Sequence, residues 1–128
     1  PEDFTISVSE DLTKAWAGIY IKNVKWDNKL YVCLKGESKL ATKSMYGIRC
    51  EKNKSESLNV KKIMTDAAIF KNGFTETNHW LCRKEIIDFS TIEARSSLFD
   101  ENKRMELVNK TAKKLYDLVK WLEEQIEN

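Results

Sequence analysis

AWAGIYIKNVKWDNKLYVCLK, residues Ala15 to Lys35, sets the fold class of this chain. Two runs rich in aromatic and β-branched residues flank a turn at Trp26-Asp27-Asn28, so the stretch reads as a β-hairpin. Upstream, FTISVS (Phe4–Ser9) alternates apolar and small polar residues and predicts a short edge strand. Downstream, SMYGIRCE (Ser44–Glu51) predicts another strand, with Gly47 at a bulge or close backbone approach. NHWLCRKEII (Asn78–Ile87) predicts a further one.

Helical spacing appears in three places. After the polar loop Lys52–Ser57, Ser57 is a suitable N-cap for a helix carrying Val60, Ile63, Met64, Ala67 and Ala68 on one face. KNGF (Lys71–Phe74) stops it, with Gly73 supplying the left-handed C-cap. STIEARSSLF (Ser90–Phe99) predicts a short helix capped by Ser90, with Glu93 three residues on. In the terminal helix Met105, Val108, Ala112, Leu115, Val119, Leu122 and Ile126 recur at spacings of three and four. Such a stripe suits a coiled-coil seam, with Val119 and Leu122 in contact with a partner helix. Leu118 widens it, which suits packing on the domain's own sheet. Trp121 lies off the stripe and marks a second candidate contact.

The expectation is therefore an α+β fold. An antiparallel sheet of about four to five strands is packed by two or three helices, the last long and amphipathic. A chain of 128 residues fits a single domain spanning 1–128. It begins Pro1-Glu2-Asp3 without an initiator Met and reads as a C-terminal piece of a longer protein. Charged residues make up 33% and no apolar run nears the ~20 residues of a membrane span, which predicts a globular cytoplasmic domain without membrane contact. The three cysteines, Cys33, Cys50 and Cys82, are odd in number and far apart, which fits buried reduced thiols. His79 is the only histidine, and no soft ligand lies near it in sequence, so neither a metal nor another cofactor is expected.

Glu37-Ser38-Lys39 after a buried strand, with Asp27 upstream, resembles the Glu-x-Lys core of a metal-dependent nuclease. Asp27 and Glu37 lie at opposite ends of one strand, where ten residues of extended chain span roughly 30 Å. A Mg²⁺ ion needs its ligands at ~2.1 Å, so this pair does not make a metal site. Cys82 and His79, three apart on a strand, face opposite sides of the sheet and do not make a nucleophile pair. The chain is expected to be non-catalytic.

The net charge is only +2, yet residues 35–62 hold eight Lys or Arg against three Glu, a net of +5. Lys43, Arg49, Lys52, Lys54, Lys61 and Lys62 form the candidate nucleic-acid-binding set. A solvated surface is the alternative reading. The aromatics Trp16, Tyr20, Trp26, Tyr31 and Trp80 suit either a base-stacking platform or a core beneath a helix.

The landmark order adds a family resemblance. WAGIYIKNVKW (Trp16–Trp26), MYGI (Met45–Ile48), KNGF, HWLCRKEI (His79–Ile86) and the closing helix resemble the C-terminal module of bacterial proteins of unknown function assigned to the PD-(D/E)XK nuclease superfamily. The likeness covers Lys14 to Ile126 and rests on Trp16, Tyr46, Gly47, Gly73, Phe74 and Trp80. It implies that the catalytic acids and lysine lie in an upstream region that this chain does not contain. The implied role is a non-catalytic accessory domain that helps a nuclease-like domain of the same parent protein engage nucleic acid. The alternative is a protein-interaction or homodimerisation module working through the terminal helix, and a Mg²⁺-dependent nuclease using Asp27, Glu37 and Lys39 comes third.

Overall fold

The computed structural model describes residues 4–8, 18–23, 25–26, 30–36, 43–50, 72–77, 80–88 and 91–127. They form five strands: β1 (Phe4–Val8), β2 (Gly18–Asn23), β3 (Leu30–Gly36), β4 (Lys43–Cys50) and β5 (Trp80–Asp88). Two helices follow, α1 (Ile92–Ser96) and α2 (Glu101–Glu127), joined by a 3₁₀ turn over Ser97–Phe99. The fold is α+β. The helix expected at Ser57–Phe70 lies outside the described residues.

The strands make one antiparallel sheet in sequential order, β1-β2-β3-β4-β5. The connections 9–17, 24–29 and 37–42 are short enough for β2, β3 and β4 each to fold back on its predecessor, while β5 pairs with β4 after the longer segment 51–79. The β2–β3 turn starts earlier than the sequence suggests. Asn23 Oδ1 accepts from the Lys25 backbone N–H at 2.8 Å, and the Asn23 carbonyl accepts from Trp26 N at 3.0 Å. This side-chain turn ends β2 at Asn23 and drops Trp26 into the core, 4% exposed. There it meets Phe4 edge-on, with ring centroids 5.9 Å apart.

Alternation along the strands gives the sheet two different faces. One carries Leu30, Val32, Tyr46 and Ile48, and α2 packs on it through Leu115, Leu118, Val119 and Leu122. The stripe on α2 is thus divided. Its C-terminal half is core, whereas Met105 and Val108 remain about half exposed. Val119 and Leu122, candidates for a partner contact, lie inside the domain, and Leu122 is fully buried. Trp121 is half-buried at the margin of this core, where it lines a pocket of about 240 Å³ with Tyr46, Phe74 and Lys114.

Both helix starts are capped by side chains. Thr91, rather than Ser90, caps α1, its Oγ1 accepting from Ala94 N at 3.1 Å. With Thr91 as the cap, Glu93 sits one position too early to close the expected capping box. Asp100 caps α2, its Oδ1 accepting from Lys103 N at 3.1 Å.

Gly47 and Gly73 do different work. Gly73 has φ +92° in the turn that leads to Phe74. Gly47 lies opposite Arg83, where a Cβ would run into the Cys82 carbonyl oxygen. No side-chain rotamer relieves a clash with backbone. Gly47→Ala is expected to lower stability by about 1–3 kcal/mol, in the range for overpacked sites. Chemical denaturation would measure it, and a change below about 0.5 kcal/mol would contradict the close approach.

Candidate nucleic-acid interface

The sheet face opposite α2 is built by the odd-numbered positions of β3 and β4 and the even-numbered positions of β2. Tyr31 pairs with Arg49, and Arg49 with Trp80. Tyr20 pairs with Cys33, and Cys33 with Gly47. Cations and rings therefore alternate across the strands. Lys22 Nζ lies 5.5 Å from the Tyr31 ring centroid, and Lys35 Nζ lies 5.7 Å from that of Tyr20. The Arg49 guanidinium carbon is 5.4 Å from the Trp80 centroid. Tyr20 and Tyr31 are neighbours with centroids 5.9 Å apart and ring planes at 50°.

These contacts fix long side chains that would otherwise wander. Each cation gains from the negative face of a ring, about 0.5–1 kcal/mol at a partly exposed site. Lys22, Lys35, Arg49, Tyr20 and Tyr31 are half-buried, while Trp80 is 6% exposed and forms the floor. Lys22, Lys35 and Arg49 bring three positive charges to this face. Burial and then the neighbouring Arg49 charge pull the Lys35 ammonium below the ordinary lysine value. An anion laid on this face would relieve that repulsion.

Of the six cations marked in the sequence, Arg49 belongs to this cluster. Lys43 is exposed at the opposite end of β4, at an odd-numbered position on the same face. Lys52, Lys54, Lys61 and Lys62 lie outside the described residues, as do Asp27, Glu37 and Lys39 of the Glu-x-Lys motif. The aromatic set divides. Trp26 belongs to the core beneath α2, Tyr20, Tyr31 and Trp80 belong to the cationic face, and Trp16 is outside the described residues. The structure adds Lys22 and Lys35 to the cluster. The signal for them is the period of two in β2 and β3, which aligns them with tyrosines once the hairpin register is known.

Two of the three cysteines are enclosed. Cys33 and Cys82 are fully buried, and burial pushes both thiols up to about 12. They remain protonated and unreactive near neutral pH. His79 is outside the described residues, so its geometry to Cys82 is not at issue. Among the described residues no group of three His, Cys, Asp or Glu is placed to hold a metal ion. No described helix is long and apolar enough to cross a membrane.

The thiols also set a pH expectation. The unfolded thiols titrate near 9.0 and the folded ones near 12, so the unfolded state loses its protons first. Stability from this source is complete below pH 9 and falls between 9 and 12, by about 1.4 kcal/mol per pH unit per thiol. Urea midpoints at pH 8.5 and 10.5 would show the fall, and Cys33→Ala would reduce it. In the native protein at pH 8, a thiol reagent is expected to spare Cys33 and Cys82 and to modify only the half-buried Cys50.

No protein-family model matches the chain, and no curated protein or solved structure matches it.

Proposed function

We propose that this chain is a non-catalytic nucleic-acid-binding module. Its binding surface is the sheet face that interleaves Lys22, Lys35 and Arg49 with Tyr20, Tyr31 and Trp80. The carrying observation is the alternation itself, with three cations each within 6 Å of a ring centre on one face. Phosphates are met by the cations without regard to sequence, and bases stack on exposed parts of the tyrosines. Stacking needs an unpaired base, so the preferred ligand is a single strand. Lys43, and the basic residues Lys52, Lys54, Lys61 and Lys62, extend the same charge along the chain. In this reading the module serves as an accessory domain of a nuclease-like bacterial protein and carries no catalytic step of its own.

Fluorescence anisotropy of a labelled single-stranded DNA, a duplex and an RNA of equal length tests it. Micromolar binding at about 50 mM salt, weaker at 200 mM and tightest for a single strand, is the expected outcome. No binding to any of the three at 50 mM would refute it.

A protein-interaction module working through α2 is the second reading. The half-exposed Met105 and Val108 and the exposed Tyr116 favour it. It requires contacts through the N-terminal half of α2, since Val119 and Leu122 are committed to the core.

A further inference from the structure

The two edges of the sheet are treated differently. At the β5 edge, Thr75 and Arg83 exchange two backbone hydrogen bonds of 2.9 and 2.8 Å, and the strand carries Arg83, Lys84, Glu85 and Asp88. Charges and a covering segment are the usual protection against edge-to-edge pairing. The β1 edge has neither among the described residues. Phe4-Thr5-Ile6-Ser7-Val8 carries no charge, no proline and no bulge in its register with β2. Ile6 is 66% exposed and Val8 is 58% exposed.

Beside β1 lies an open apolar groove of about 570 Å³, between the β1–β2 ribbon and α2. Phe4, Ile6, Ile21, Leu115 and Val119 line it, and Lys120 and Glu123 stand among its walls. Helix α2 covers the centre of the sheet and leaves this outer strip uncovered.

We propose that β1 pairs antiparallel with β1 of a second copy, across a two-fold axis at Ile6. The sequence is symmetric in pattern about that residue, with apolar positions at 4, 6 and 8 and small hydroxyl residues at 5 and 7. Rotation about Ile6 sets Phe4 opposite Val8 of the other copy, Thr5 opposite Ser7, and Ile6 opposite Ile6. Within Phe4–Val8 every pair joins like with like, and the strand has no charge to meet its own image, which is the condition a self-pairing edge must satisfy. The sheet then runs through ten strands. The two grooves meet at the axis, where each copy brings Ile6 and Val8 against the other. The pairing is independent of the nucleic-acid reading, because it uses the sheet edge and the α2 side rather than the cationic face.

Sedimentation equilibrium of the full chain between about 1 and 200 µM reads the result. The expected mass rises from 14.9 kDa toward twice that value. Ile6→Lys places two like charges at the axis and is expected to remain at 14.9 kDa with an unchanged far-UV spectrum, since Ile6 is exposed in the single chain. In a Cys50→Ser background, Ile6→Cys should form an intermolecular disulfide on mild oxidation, and Thr5→Cys should form far less. A chain that stays at 14.9 kDa throughout overturns the proposal. So does a dimer that survives Ile6→Lys, which would place the contact elsewhere, for example at Met105 and Val108. A monomer whose groove takes up a fluorescent fatty acid, with uptake lost in Ile6→Lys, would assign the groove to an apolar small molecule instead.

Discussion

Leu122→Ala is expected to remove about 3 kcal/mol of stability and to lower the melting temperature by roughly 10 °C. Leu122 is fully buried where α2 meets the sheet, in one cluster with Leu115, Leu118, Val32 and Ile48. Truncation loses the transfer energy of the removed carbons and leaves a cavity that its neighbours only partly fill. Leu115, Leu118 and Val119 share the cluster and are anchored on the same helix, so they refill the space only in part. Met105→Ala, on the same heptad-like stripe but 51% exposed, is expected to shift the melting point by no more than about 2 °C. Thermal melts of the two variants would measure the division of the stripe directly. Equal shifts would mean that the helix does not seat on the sheet through its C-terminal half.

That division shows what the sequence can and cannot convey. The period of the stripe is local, and it fixes a long amphipathic helix at Glu101–Glu127. How far the sheet extends beneath the helix is not local, so Met105 and Leu122 look alike in the sequence. The five strands were legible for the same reason as the helix, since their β-branched and aromatic runs are long and bounded by polar turns. Boundaries were lost where one hydrogen bond decides them. Asn23 ends β2 by accepting from Lys25 N, and Thr91 displaces Ser90 as the cap of α1. The β4–β5 register shifts at Ser44/Met45 and Ile48/Arg49 depend on both strands together, and neither strand shows them alone.

Reversing two charges on the sheet face, Lys22→Glu with Arg49→Glu, is expected to weaken single-strand binding by about 100-fold. Hydrogen bonds to charged groups contribute about 1.5–3 kcal/mol each, and 1.4 kcal/mol is a factor of ten. Arg49 lies over Trp80 at 5.4 Å and Lys22 over Tyr31 at 5.5 Å, so both heads are held in place before a ligand arrives. Pre-organisation of this kind lowers the ordering cost of binding. Reversal at Lys113, which pairs with Asp117 at 3.0 Å on the exposed side of α2, is expected to change binding less than threefold. Anisotropy titrations of the two variants separate a local surface from a diffuse charge effect. Equal losses would indicate the latter.

The site is less legible than the fold because charge along the chain does not report which charges neighbouring strands bring together. Residues 35–62 carry the positive excess, and Arg49 and Lys35 come from it. Lys22 belongs to a segment with no positive excess, and it joins the cluster only because β2 lies beside β3. Likewise Tyr20, Tyr31 and Trp26 have the same composition signal, yet strand parity and the Asn23 turn send Trp26 into the core.

The salt dependence of single-stranded DNA binding tests the central claim most directly. Three phosphate contacts from Lys22, Lys35 and Arg49 give a slope of about −2 in log affinity against log salt, or roughly 20-fold between 50 and 200 mM. The triple variant Lys22→Ala, Lys35→Ala and Arg49→Ala, confirmed folded by its melting curve, is expected to lose most of that slope. Wild-type protein that fails to bind at 50 mM, or a triple variant that keeps the wild-type slope, would contradict the account.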